Sequence, residues 1–381
     1  MTGAVPLHTH ARVSGVDRPE ILKVLSPEEA VGSHLPPQDV LLFAEGIDGP
    51  SLTRPGDAPA RVEDLRDRRV IRPGDVVRLR PGGSLVSVLY RRGSTSNTLF
   101  ATERCNSLCL MCSQPPRDED DRWRVDEMLR VISLVDREEL QLGITGGEPT
   151  LLGEDLARVL DAISVYLPDT QVQILTNGRT FADAALAERL ATIHRDRTVW
   201  AVPLYGDVAR LHDEVVDVEG AFRETLDGLY QLGRLRARVE IRVVLHQLTI
   251  PRLAQLSAFI YRRLPFVNHV ALMGLEPMGF AKTNRDRLWI DPADYQAELA
   301  AAVFHLAARG LPVSIYNLPL CVLDRRLWPF ARQSISGWKN IYPPDCKDCV
   351  VRDHCAGFFA SAGPTWRSRA VRPFQFEEFA A

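Results

Sequence analysis

From Thr98 onward the chain repeats one pattern, a short apolar and β-branched run followed by an amphipathic stretch. The runs are Thr98 to Thr102, Leu140 to Thr145, Gln171 to Thr176, Thr198 to Leu204, Val239 to Leu245 and Val267 to Met273. The amphipathic stretches include Asp155 to Tyr166, Ala182 to Ile193, Ala221 to Leu235, Ile250 to Leu264 and Pro292 to Ala308. Apolar positions three and four apart mark these as helices, and Gly310 closes the last. Alternation of this kind predicts an α/β fold of parallel strands joined by right-handed crossovers. Six units are too few to close an eight-stranded barrel. The expectation for residues 97–311 is therefore an open, curved sheet, a partial (β/α)6 barrel, with ligands at the carboxyl ends of its strands.

The flanking regions read differently. Residues 1–96 alternate short apolar runs with turn signals: Pro36-Pro37, Arg54-Pro55-Gly56-Asp57, Arg72-Pro73-Gly74-Asp75 and Pro81-Gly82-Gly83. Asp75 to Leu79 and Leu85 to Tyr90 flank the last of these as a hairpin, so a small β-rich module is expected. Residues 312–381 open with a strand-like run, Pro312 to Asn317, then lose periodicity and carry four of the seven cysteines. That composition predicts an extension organised around a metal instead of an apolar core. A net charge of -3 supplies no basic excess for phosphates, so no nucleic-acid partner is expected. Met1 to Arg12 lacks a signal-peptide core, and the most apolar stretch, Leu299 to Ala308, is too short to span a bilayer. The expected location is the cytoplasm, without a membrane partner, where cysteines serve as metal ligands more often than as disulfides. Their odd number agrees.

Cys105, Cys109 and Cys112 follow directly on the first predicted strand with the spacing CxxxCxxC. Three thiolates this close can wrap one inorganic centre, and no fourth His or Cys lies near them. Around a [4Fe-4S] cube, three ligands leave one iron open to a small molecule, as a catalytic zinc site keeps one position free. Taken alone, the spacing also suits a zinc ion completed by a distant residue. The second strand runs into Thr145-Gly146-Gly147-Glu148-Pro149-Thr150. Glycines at a strand end permit positive φ and close backbone approach to a ligand. Their carbonyls, with Glu148 nearby, can accept hydrogen bonds from an ammonium group. An ordinary β-α turn with Pro149 starting a helix is the bland alternative.

CxxxCxxC after strand one, with GGEP after strand two, resembles the radical S-adenosylmethionine (SAM) superfamily over about Thr98 to Gly310. The resemblance implies a [4Fe-4S] cluster with an open iron, SAM bound to it, an external electron donor, and reductive cleavage to a 5'-deoxyadenosyl radical. It implies cofactor-binding roles for Gly146, Gly147, Glu148 and Pro149. Leu175-Thr176-Asn177-Gly178 looks like the third-strand turn that faces the cofactor, which adds Asn177. Met111 stands where many members place an aromatic, and is expected near the adenine. Val202-Pro203-Leu204-Tyr205-Gly206 with His212-Asp213 resembles the SLDG…HD region of peptide-modifying members. Here it departs: Pro203 replaces the serine and Tyr205 the acid. His212 and Asp213 are catalytic candidates, with a loop salt bridge or a helix cap as the alternative.

Cys321, then Cys346, Cys349 and Cys355 in the spacing CxxCxxxxxC, supply four thiolates, enough for a second [4Fe-4S] cluster or a structural zinc. The last three resemble the SPASM and twitch extensions of radical SAM peptide maturases, and imply one auxiliary cluster. Phe359 stands where full SPASM domains carry a further cysteine. The segments Asn97 to Arg117, Val202 to Asp207 and Leu275 to Phe280 look like the HxsC maturases of the His-Xaa-Ser peptide system. That likeness implies a peptide substrate with His-Xaa-Ser repeats and a second radical SAM maturase as partner. A small-molecule substrate in cofactor biosynthesis, or a non-catalytic metal-binding scaffold, are the competing expectations.

Overall fold

The computed structural model describes residues 7–46, 49–55, 60–334 and 339–379. The first six residues, and the Gly56-Asp57 half of the first Arg-Pro-Gly-Asp turn, lie outside them. The chain divides into two compact units. One comprises residues 1–101, 121–144 and 157–172; the other comprises 102–120, 145–156 and 173–381.

The first unit holds strands β1 (His8–His10), β2 (Arg12–Ser14), β3 (Glu20–Leu25), β4 (Val40–Gly46), β5 (Gly49–Thr53), β6 (Arg61–Glu63), β7 (Val76–Leu79) and β8 (Leu85–Tyr90). They form one sheet in the order β1-β8-β7-β3-β4-β5-β6-β2. The expected hairpin is present: Val77 pairs with Val88 and Arg78 with Ser87, antiparallel, across a bulge at Val76/Val77. Gly82 takes a φ of 56° at its tip, where a Cβ would be strained. Leu22, Val24, Leu41, Leu52, Val62 and Val77 gather into this unit's core. Burying a side chain of this size contributes ~2 kcal/mol, before the entropy of ordering it is set against the gain. Lys23 is also buried, so its ammonium needs a partner, and Asp136 stands 2.9 Å away. Burial nevertheless lowers the Lys23 pKa from its ordinary value.

A second sheet contains β9 (Thr98–Phe100), β10 (Gln141–Thr145), β11 (Gln171–Leu175), β12 (Thr198–Pro203), β13 (Arg238–Leu245), β14 (His269–Gly274), β15 (Val313–Tyr316) and β16 (Ala331–Arg332). Its strand order simply follows the chain, β9 through to β16. Pairing from β12 to β16 is parallel throughout, with Val202 opposite Ile241, Ile241 opposite Val270 and Leu272 opposite Ile315. Helices intervene as the alternation requires: Trp123–Ile132, Glu154–Tyr166, Ala184–Ala191, Ala221–Arg234, Leu253–Arg263 and Gln296–Ala307. The two short strands β15 and β16 extend the sheet beyond the six repeated units. A hydrogen-bonded polar chain links side chains on four of the strands, β11, β13, β14 and β15. Gln173 Nε2 donates to Glu240 Oε1 at 3.3 Å, Glu240 Oε2 meets His269 Nδ1 at 2.9 Å, and His269 Nε2 meets Ser314 Oγ at 3.0 Å.

Helix Ala221–Arg234 shows how the sequence brings a backbone close. It buries Ala221, Thr225, Gly228, Leu229 and Leu232, the three- and four-residue spacing of one face. A Cβ on Gly228 would lie 2.1 Å from the Gly178 carbonyl oxygen, so only glycine lets the helix sit against that turn. Beyond β16 the described residues form mostly turns and short 3-10 helices, and Ile341 bridges Phe358 in antiparallel fashion. Among the described residues, no helix is long and apolar enough to cross a membrane.

Candidate cofactor site

The cysteine loop is held from several sides. Leu108 and Leu110 donate their amides to the Val216 and Val215 carbonyls at 3.1 and 2.9 Å. Phe280 N donates to the Cys112 carbonyl at 2.8 Å, and Asn284 Nδ2 donates to the Leu110 carbonyl at 2.9 Å. Cys112 N closes a turn on the Cys109 carbonyl at 3.0 Å. These bonds satisfy the backbone of a loop that belongs to no helix or strand.

Cys105, Cys109 and Cys112 face one cavity of about 310 Å³, together with Met111, Gly146 and Gly147. The carboxyl ends of β11 to β14 contribute Leu175, Pro203, Val244 and Met273 to its wall. Burial pushes the Cys105 thiol up to about 11 and the Cys109 thiol up to about 12, and it raises Cys112 as well. The neighbouring thiols add to the shift at Cys105 and Cys109. Left to themselves, these groups hold their protons. A cationic centre bound by the thiolates is what would release them, and three soft donors suit an iron–sulfur centre. The donor set therefore fits a cluster. Among the described residues, no group of three or more His, Cys, Asp or Glu is gathered to the spacing of a single bound metal ion.

Gly147 is required by contact. A Cβ there would meet the Arg104 carbonyl oxygen at 2.2 Å, while Gly147 N donates to the Thr102 carbonyl at 2.7 Å. Gly146 has a φ of 150°, within the range that favours glycine. Glu148 and Pro149 turn away: both are buried, and neither lines the cavity. The Glu148 carboxylate accepts from Thr150 N at 3.0 Å, Thr150 Oγ1 at 2.5 Å, Thr176 Oγ1 at 2.6 Å and Asn177 N at 2.5 Å. Burial raises its pKa, and those donors act in the opposite direction. Its carboxylate thus ties the GGEP turn to the turn after β11 and does not itself face the cavity. Asn177 does line the cavity, and its Nδ2 donates to Asn106 Oδ1 at 2.5 Å.

Arg179 was not visible as a site residue from the sequence. Its Nη1 donates to the Asn106 carbonyl and, at 3.0 Å, to Ser107 Oγ, while Nε pairs with Glu224 at 2.7 Å. It anchors the start of the cysteine loop, and its only signal was its place two residues after Asn177. Arg242 also lines the cavity, as do Glu276 and Lys339, which pair at 3.2 Å. The Glu240 and Arg242 alternation along β13 could have revealed the first of these.

His212 and Asp213 sit on the helix Ala209–Val216, and neither lines the cavity. Asp213 accepts from Gly220 N at 2.8 Å and Phe222 N at 2.7 Å, a cap on the following helix. His212 is buried and accepts the Tyr205 amide at Nδ1, 3.3 Å away. Burial holds its pKa down to about 4, and that of His246 to about 3, both from 6.5. The unfolded chain therefore binds these protons first, and stability is fully present above pH 6.5. It should fall steadily between pH 6.5 and about 3, by ~3 kcal/mol for His212 and ~5 kcal/mol for His246 once the pH is below both values. Urea unfolding at stepped pH checks this, and His246→Gln should flatten the slope.

The C-terminal cysteines lie within electrostatic reach of one another. Charge on Cys346 and Cys355 is felt at Cys321, and charge on Cys349 and Cys355 at Cys346. Backbone amides point at the sulfurs: Leu320 N and Gly357 N at Cys355 Sγ (3.3 and 3.4 Å), Phe374 N at Cys349 Sγ (3.3 Å). Burial pushes the Cys321 thiol up to about 11. Such N–H donors stabilise thiolates bound to a metal or cluster.

No family model matches the chain, and no curated protein does. Among solved structures, the chain is similar to native anSMEcpe with bound AdoMet and Cp18Cys peptide, at 17% identity and a TM-score of 0.44 over 57% of this chain and 62% of that one. It is similar to a radical SAM methyltransferase from Sphaerobacter thermophilus at 16% identity and a TM-score of 0.43, over 76% and 79% of the two chains. Methylornithine synthase (PylB) gives 14% identity and a TM-score of 0.41, over 58% and 63%. The chain spans less than two thirds of the length of the first of these.

Proposed function

We propose that this chain is a radical SAM enzyme that modifies a peptide. One observation carries the reading: three partly buried thiols in the spacing CxxxCxxC share a cavity with the two glycines of GGEP. Cys105, Cys109 and Cys112 would hold a [4Fe-4S] cluster by three corners. When bound, the cluster and SAM supply reductive cleavage to a 5'-deoxyadenosyl radical. The chain's own residues position and shield. Gly146 and Gly147 let the backbone approach the ligand, and Asn177 and Met111 complete the wall beside the thiols. Glu148, behind that wall, keeps the two strand-end turns in register. Buried Leu110 and Tyr205 keep water from the thiol side.

The finer reading rests on the likeness of Asn97 to Arg117, Val202 to Asp207 and Leu275 to Phe280 to the HxsC maturases. It takes a peptide with His-Xaa-Ser repeats as substrate, a second radical SAM maturase as partner and an external electron donor. Cys321, Cys346, Cys349 and Cys355 would hold an auxiliary [4Fe-4S] cluster in a SPASM- or twitch-like extension, in a cytoplasmic enzyme. Anaerobic reconstitution with iron, sulfide, dithionite and SAM should yield 5'-deoxyadenosine; protein that binds only zinc and yields none would refute the enzyme reading. Cys349→Ala should retain part of that cleavage and lose modified peptide by mass spectrometry. Complete loss of cleavage in a folded Cys349→Ala protein would count against separate roles for the two cysteine groups.

A further inference from the structure

Tyr205 follows β12 and is buried to 7% exposure, yet it lines the same cavity as the three thiols. Its ring lies 5.8 Å from that of His212 at an interplanar angle of 29°, and 6.4 Å from that of His246. The His212 ring also accepts the Tyr205 amide, so ring and backbone are fixed by the same neighbour. His246 is buried with its Nε2 unpartnered, while its Nδ1 accepts from Leu248 N at 3.3 Å. Two buried imidazoles thus brace one phenol. The phenol oxygen is within electrostatic reach of Cys109, Cys112 and Arg242. Among the described residues, none makes a hydrogen bond to it. Tyr205 lines the cavity and its hydroxyl has no protein partner among the described residues, so a ligand there is the natural acceptor.

We infer that the Tyr205 hydroxyl donates a hydrogen bond to an oxygen of the ligand held beside the three thiols, with His212 as the residue that positions it. The inference rests on the reading of this cavity as a SAM site. The acceptor belongs either to SAM or to the peptide backbone, and both offer oxygens of the same chemistry. Tyr205→Phe keeps the ring and removes only the donor. In cluster-loaded protein, it should weaken equilibrium binding of one of the two ligands by roughly five- to tenfold, as the loss of one hydrogen bond implies. The thermal midpoint should be unchanged. Weaker SAM binding, with a diminished change in the reduced cluster's electron paramagnetic resonance signal on SAM addition, assigns the acceptor to the cofactor. Weaker binding of a His-Xaa-Ser peptide alone assigns it to the substrate. His212→Phe should reproduce part of the loss, and His212→Asn, which restores an acceptor near the Nδ1 position, should recover it. Parent-like affinity of Tyr205→Phe for both ligands overturns the inference alone. Failure of the parent protein to bind SAM overturns the functional reading, and the inference with it.

Discussion

Cys109→Ala is expected to abolish 5'-deoxyadenosine formation, by roughly a thousandfold or more, which corresponds to at least ~4 kcal/mol of lost transition-state stabilisation. On the proposed reading the reason is stoichiometric: the variant would offer two thiolates, too few to fix a cube and orient its open corner. Cys109 is also the thiol that burial and its neighbours shift furthest, up to about 12, so it depends most on a cationic partner. Folding should be nearly unaffected, because the change deletes one sulfur at a site only partly buried. The measurements are iron content, visible absorption and nucleoside yield under anaerobic conditions. Equal cleavage by the variant and its parent would remove Cys109 from the site.

Gly147→Ala should damage folding and site together. Its added methyl would meet the Arg104 carbonyl oxygen at 2.2 Å and the Glu103 carbonyl oxygen at 3.0 Å, both backbone atoms that no side-chain rotation can move. Overpacking of this kind costs ~3 kcal/mol, and relieving it requires displacing the strand end from the cysteine loop. The Gly147 N to Thr102 carbonyl bond would stretch with it. Gly32→Ala is the control: nothing lies within 4 Å of the added atom, and its φ of -93° suits any residue. Urea unfolding and iron loading should separate the two variants. A Gly147→Ala protein as stable as Gly32→Ala, and loading iron as well, would contradict the close approach.

The repeated strand and helix runs located β9 to β15 closely because apolar, β-branched segments and amphipathic helices carry different periods. Leu85 to Tyr90 and Val239 to Leu245 are recognisable for that reason. The short polar strands His8–His10, Arg12–Ser14 and Arg61–Glu63 carry no such period, and pairing partners far along the chain decide them. The helix Ala209–Val216 hid for a different reason: its buried face includes His212, which reads as catalytic in a sequence. At the site, the thiol spacing and the glycines were legible because each type serves few purposes. The hydrogen bonds of Glu148 were not legible. A carboxylate beside two glycines suggests an ammonium partner, whereas its hydrogen bonds run to Thr150, Thr176 and Asn177 behind the wall. Arg179 and Tyr205 could not be ranked from sequence, since an arginine after a turn and a tyrosine after a strand have many ordinary uses.

The bonds that clasp the cysteine loop come from the protein itself: the Val215 and Val216 carbonyls, the Phe280 amide and the Asn284 side chain. A zinc finger owes its fold to its ion, whereas these four bonds run between protein groups alone. Amide exchange at Leu108 and Leu110 is therefore expected to be slow in metal-free protein and little changed on loading.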